Sequence, residues 1–115
     1  MTCGGSASIA RTAVSGLDVE QTRLNVSAGN VANQNTPGYR AGRVTSQNLP
    51  NGGAAAIVTW SSAIPPVEPG EEVPSSSDLT TDLVDQHIAL RGYEANLAVL
   101  KAARDAEKHL LSVFA

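Results

Sequence analysis

All six prolines of this chain lie between positions 37 and 74, and the flanks on either side carry none. A proline inside a helix removes a backbone donor and clashes with the preceding turn, at a cost of about 3 kcal/mol. Long helices are therefore confined to the flanks, and the middle must be built from turns and extended pieces. The chain divides into residues 1–40, 41–77 and 78–115, and its 115 residues make one domain at most.

The first flank predicts a helix over 6–33. Ser6 follows Gly4-Gly5 and offers a hydroxyl for the N-cap. Ala10, Leu17, Leu24 and Val31 recur every seven residues, and Ala13, Val14 and Ala28 widen that stripe. Arg11, Asp18, Gln21, Thr22 and Asn25 fall mostly elsewhere, leaving a narrow, coiled-coil-like seam. Gly16 and Gly29 weaken the helix, each by about 1 kcal/mol relative to alanine. Its end is well marked. Thr36 precedes a proline and is pushed out of the helical region. Thr36-Pro37-Gly38-Tyr39 places Pro and Gly where a type II turn needs them. Asn30, Asn33 and Asn35 can bond nearby backbone groups.

The last flank predicts a longer helix over 78–114, capped by Ser77 or Asp78, and roughly 55 Å long at 1.5 Å per residue. Leu83, Leu90, Leu97 and Leu111 share one heptad position, interrupted by Arg104, and Leu79, Tyr93, Leu100 and Phe114 share the adjacent one. A second stripe runs through Val84, Ile88, Ala95, Val99, Ala103, Ala106, Leu110 and Val113. The expected fold is mainly α: an antiparallel, coiled-coil-like hairpin of the two terminal helices, with Leu17, Leu24 and Val31 against Leu83, Leu90 and Leu97. The second stripe then awaits another copy; a single wide face covered by the middle segment is the alternative. In the middle, Ala54–Trp60 reads as a short strand through β-branched Ile57, Val58 and Thr59. Residues 43–47 are its candidate hairpin partner across 48–53. Residues 64–74 (IPPVEPGEEVP) read as an extended, polyproline-like spacer.

Composition points to self-association. Alanine supplies 17 of the apolar residues, and only Tyr39, Trp60, Tyr93 and Phe114 are aromatic. Alanine lets helices approach closely but buries little area, at roughly 25 cal/mol per Å². A lone monomer would have a thin core. The net charge of −3 is uneven: residues 49–78 hold Glu68, Glu71, Glu72 and Asp78 and no base, whereas residues 1–48 hold four arginines against Asp18 and Glu20. Opposite charge in neighbouring segments suits copies stacking head to tail, and equally suits solvated loops.

The residues argue against other functions. No basic patch is interleaved with aromatics, which disfavours nucleic-acid binding. No apolar run approaches the ~18 residues of a membrane span, so no direct membrane insertion is expected. Cys3 is the only cysteine, and no apolar stretch precedes it as a secretory or lipoprotein signal would require. His87 and His109 lie roughly 33 Å apart on one helix and cannot share a metal. The Gly4-Gly5 and Gly52-Gly53 pairs lack the lysine and strand–loop–helix setting of a phosphate loop. No nucleophile elbow appears, and Glu71-Glu72 lie in a solvated acidic stretch. No catalytic residue, metal or cofactor is expected. Arg91-Gly92-Tyr93-Glu94-Ala95-Asn96 is polar for mid-helix; it could bind turns of neighbouring subunits, or form an exposed face with Tyr93 alone in the core.

Both ends carry a resemblance. Asn30-Val31-Ala32-Asn33-Gln34-Asn35-Thr36-Pro37-Gly38-Tyr39-Arg40 resembles the N-terminal signature of bacterial flagellar rod and hook proteins, an ANxxTPGY-type element after an amphipathic helix. Ser15-Gly16-Leu17 and Thr22-Arg23-Leu24-Asn25-Val26 are similar to that family's helix. Asp78-Leu79, Leu83-Val84-Asp85, Arg91-Gly92-Tyr93-Glu94-Ala95-Asn96 and Val99-Leu100-Lys101-Ala102-Ala103 resemble its C-terminal helix. The small size most resembles the proximal-rod type; Ser75-Ser76-Ser77-Asp78 and the charged 104–109 depart from it. The resemblance implies a non-catalytic subunit of the periplasmic basal-body rod that supports motility. Such a subunit would polymerise helically with copies of itself and other rod proteins, and leave the cell through the flagellar type III export apparatus without a cleaved signal. It implies packing or interface roles for Leu17, Leu24, Val31, Asn33, Thr36, Pro37, Gly38, Tyr39, Leu83, Leu90, Tyr93, Asn96, Leu97 and Leu100. The competing reading is a soluble helical adaptor or divergent paralogue that forms a closed dimer and does not polymerise.

Overall fold

The computed structural model describes residues 5–62 and 64–114, the side chains of 5–7 excepted. Cys3 lies outside the described residues. Two long helices, α1 (Gly5–Ala32) and α2 (Leu79–Phe114), flank an antiparallel hairpin of β1 (Gly42–Asn48) and β2 (Ala54–Trp60). α1 packs along α2 and also carries both strands, while α2 meets the hairpin through the Asp82–Arg43 pair. α1 runs through Gly5 and Ser6, and the Ser6 hydroxyl expected as its cap lies outside the described side chains. At α2 the choice between Ser77 and Asp78 falls to Asp78. Its carboxylate accepts the Thr80 N–H at 3.2 Å and the Thr81 hydroxyl at 2.7 Å, satisfying donors that the first turn leaves open.

The hairpin pairs Gly42 with Trp60, Val44 with Val58 and Asn48 with Ala54. Its loop closes through Gly52 N–H to Leu49 O at 3.1 Å and Leu49 N–H to Gly53 O at 3.1 Å. Arg23 of α1 reaches across to donate to Val44 O at 3.0 Å, and Ser15 accepts the Ala54 N–H at 3.0 Å. The hairpin thus lies lengthwise along α1.

The helices run antiparallel: the Ser27 hydroxyl bonds Asp82 O at 2.6 Å, Glu20 lies against Gly92, and Asn96 against Gly16. The seam, however, is not the predicted leucine ladder. On α2 the buried residues are Asp82, Ala89 and Ala103, with Gly92, Tyr93, Asn96 and Leu100 half-buried beside them. Leu83, Leu90 and Leu97, expected in the centre, are 46%, 50% and 43% exposed. The reason is steric. A Cβ at Gly16 would lie 2.5 Å from Asn96 Oδ1, and one at Gly92 would lie 2.6 Å from Glu20 Oε2. Each helix offers a glycine to the other's polar side chain, one turn apart, and the axes approach too closely for leucine between them. The α1 stripe of Leu17, Leu24 and Val31 is half-buried at the margin of this seam. Leu24 meets Leu83 and Leu90 there in a shallow groove of about 290 Å³.

The core is correspondingly small. Its buried apolar members are Ala13, Val19, Ala41, Val44, Ala89 and Ala103. The molecule extends over 75 × 25 × 14 Å with a radius of gyration of 19.7 Å, against about 13 Å for a compact chain of roughly 100 residues. It exposes 7910 Å², whereas a compact monomer of 11.8 kDa exposes about 5900 Å².

Candidate functional site

The best-buried polar groups among the described residues meet where α1 ends, β1 begins and α2 starts. Asn30 and Asp82 are both fully buried. The Asn30 amide makes four bonds. Its Nδ2 donates to Gly42 O and to Asp82 Oδ1, each at 2.9 Å, and its Oδ1 accepts the Gly42 N–H and the Tyr39 hydroxyl, each at 3.0 Å. All of its donor and acceptor capacity is used. Asp82 Oδ1 also takes Arg43 Nη1 at 3.0 Å. Arg43 itself is partly exposed and donates to Gly42 O as well. One asparagine thereby ties the end of α1 to the first residue of β1, to the turn through Tyr39, and to the first turn of α2.

The turn between α1 and β1 has the expected geometry. Gly38 has φ +79°, and the Tyr39 N–H bonds Thr36 O at 3.2 Å. Those are the positive φ at the third residue and the closing bond of a type II turn. Asn33 holds the helix end: its Nδ2 donates to Gly29 O at 2.8 Å and its Oδ1 accepts the Thr36 hydroxyl at 3.1 Å. The far end of the proline-rich spacer then docks on the turn. Gly38 N–H bonds Val73 O at 2.6 Å, Ser76 N–H bonds Tyr39 O at 3.0 Å, and Ser76 Oγ accepts the Ala41 N–H at 2.7 Å. Arg40 adds a bond to Pro74 O. Residues 73–76 are therefore part of the junction, and the spacer is anchored at its end.

The expected interface residues separate into groups. Asn33 and Tyr39 serve bonds within the chain, while Thr36, Pro37 and Gly38 present an exposed corner. In the polar stretch of α2, Tyr93 and Asn96 turn into the seam with Gly92, whereas Arg91, Glu94 and Ala95 face outward. Leu100 is half-buried in the same seam. At about 100° per residue, Leu79, Leu83, Leu90 and Leu97 form one exposed flank of α2, and Val84, Ile88, Val99 and Val113 form another on the opposite side of the seam, while Leu110 continues the seam line of Asp82, Ala89, Asn96 and Ala103 and is exposed. Each predicted stripe is thus split: Leu79, Leu83, Leu90 and Leu97 of one and Val84, Ile88 and Val99 of the other stay exposed, while Tyr93, Leu100 and Ala103 turn into the seam.

Sequence reasoning missed Asp82. It lies among Asp78 and Asp85 at helical spacing, a pattern that normally marks a solvated face, and nothing local to α2 signals a buried partner. Asn30 was visible as part of the asparagine-rich segment, but as a local turn former and not as a long-range clamp. No helix among the described residues is long and apolar enough to cross a membrane.

No curated protein matches the chain. Residues 11–40 match the family model described as "Flagella basal body rod protein". The matched segment spans most of α1 and the whole Thr36–Tyr39 turn, including Asn30 and Tyr39, and so supports kinship of the N-terminal half of this junction with the flagellar basal-body rod family.

Proposed function

We propose that this chain is a non-catalytic structural subunit of the bacterial flagellar basal-body rod, of the proximal-rod type. In this reading it assembles helically in the periplasm with copies of itself and other rod proteins, supports motility, and is delivered by the flagellar type III export apparatus. The observation that carries the reading is the apolar surface left over once the helices have paired. α2 keeps two apolar flanks in solvent on either side of a seam that is already filled. Two flanks on different sides suit a neighbour on each side, which is the heterologous packing an open helical array needs. The area is sufficient. The total surface, polar and apolar together, exceeds that of a compact monomer by roughly 2000 Å², against ~800 Å² per partner in a standard interface. The family match over 11–40 supports the same assignment.

The test separates folding from assembly. Leu97 lies outside the seam, so Leu97→Asp leaves the helix pair intact and puts a charge into the flank that a neighbour would bury. The expected result is an unchanged far-UV circular dichroism spectrum with loss of motility and of rod incorporation. Wild-type motility would remove the leucine flank from the assembly surface. A variant that also loses its helicity would return Leu97 to the fold of the monomer. A finite, salt-insensitive dimer of the wild type held by the leucine flank, and so lost in Leu97→Asp, would favour the adaptor.

A further inference from the structure

The two edges of the β-hairpin are treated differently. In an antiparallel pair, alternate residues send both backbone groups to the partner strand or both outward. Ser61 N–H bonds Ala41 O and Leu49 N–H bonds Gly53 O, so the odd-numbered residues of β1 face β2. Gly42, Val44 and their even-numbered neighbours point outward, as do Ala54, Ala56, Val58 and Trp60 on β2. The β1 edge is occupied by side chains of α1: Asn30 takes both backbone groups of Gly42, and Arg23 takes Val44 O. The β2 edge is occupied only at its start, where Ser15 accepts the Ala54 N–H. Among the described residues, no hydrogen bond reaches the outward groups of Ala56, Val58 and Trp60.

Exposed edges are ordinarily blunted by charge, proline or cover. β2 has none of these. AAAIVTW contains no charge and no proline, and the whole of residues 44–67 is uncharged. α2 does not approach it. Ile57 and Trp60 are exposed large side chains on its two faces. We infer that β2 is a strand-addition edge that pairs with β2 of a second copy, antiparallel about Val58, to make a four-stranded sheet. The register is fixed by the open groups. Centred on Val58, the outward groups of Ala56, Val58 and Trp60 meet those of Trp60, Val58 and Ala56 of the second copy. Each tryptophan then lies beside an alanine, small against large, and no like charges oppose one another. A strand bearing several prolines, such as the chain's own 64–74 spacer, would leave outward carbonyls unpaired; β2 itself would not. This pairing does not depend on the rod reading. It is two-fold and closes on itself, so it cannot extend a helical array. It sets the oligomeric state of the free chain.

Sedimentation equilibrium of the full chain tests this, carried out in Leu97→Asp to silence association through the leucine flank. A reversible dimer is expected, with amide hydrogen exchange at Ala56, Val58 and Trp60 slowing as concentration rises. Val58→Pro removes an outward N–H and spares the hairpin ladder, so it should yield a monomer with unchanged helicity. Val58→Lys places two ammonium groups across the two-fold axis and should raise the dissociation constant at least tenfold, which decides the matter if the proline variant does not fold. A monomer at all concentrations, a dimer that survives both substitutions, or protection that is independent of concentration would overturn the inference.

Discussion

At the scale of single residues the junction rests on Asn30. Its amide replaces a strand neighbour for Gly42, a partner for the Tyr39 hydroxyl and a ligand for Asp82. Removing it leaves buried donors and acceptors unpaired, and each such group costs about 1–3 kcal/mol. Asn30→Ala should therefore destabilise the protein by about 3 kcal/mol, read as a lowered urea midpoint. A loss under ~0.5 kcal/mol would mean that water or another side chain takes over these bonds, since surface substitutions fall in that range. Gly38 makes a different demand. Nothing lies within 4 Å of where its Cβ would be, and its φ is +79°. Gly38→Val should therefore cost about 1–3 kcal/mol through backbone strain alone, lowering the thermal midpoint; an unchanged midpoint would show that the turn relaxes to another type.

At the scale of elements the seam of α1 and α2 is set by close approach. Gly16→Ala would gain helix propensity in an ordinary setting, yet its Cβ would meet Asn96, whose Nδ2 is held by Gly92 O at 2.9 Å. The substitution should lower stability by about 1 kcal/mol in the wild type and raise it in an Asn96→Ala background, a coupling that a double-mutant cycle measures. Gly29 is the internal control. Its nearest neighbour would be the Tyr39 hydroxyl at 3.7 Å, an ordinary contact, so Gly29→Ala should stabilise by about 0.5–1 kcal/mol. The same sign at both glycines would argue against the close crossing. This seam also marks how far the sequence could be read. Proline placement and heptad spacing located both helices, the Thr36–Tyr39 turn and the hairpin, because those signals are local. Periodicity identified the apolar stripes but could not assign their partners. The stripe richest in leucine was the natural candidate for the seam, and the seam went to glycine, alanine and polar residues because axial distance is a property of two helices together. Asp82 was illegible for the same reason, since its burial is imposed by Asn30, Ser27 and Arg43 from elsewhere in the chain.

At the scale of the whole molecule, a core of alanine and valine, a radius of gyration of 19.7 Å and an accessible surface of 7910 Å² describe an elongated chain that leaves much of its apolar surface uncovered. Buried hydrogen bonds at the Asn30 junction fix how α1, the hairpin and α2 are arranged. The leucine and valine flanks carry the surface that association would bury. Geometry is thus set within the monomer, and the proposed assembly would supply the cohesion that the thin core lacks. An axial component of the basal body, as proposed for this chain, must be recovered with the isolated particle. Quantitative mass spectrometry of basal bodies isolated from the source bacterium tests it most directly. The chain is expected at fixed stoichiometry to other rod proteins. Its absence from those particles, with abundant protein in the cytoplasm, would rule out an axial role and favour a soluble adaptor that shares the family's N-terminal segment.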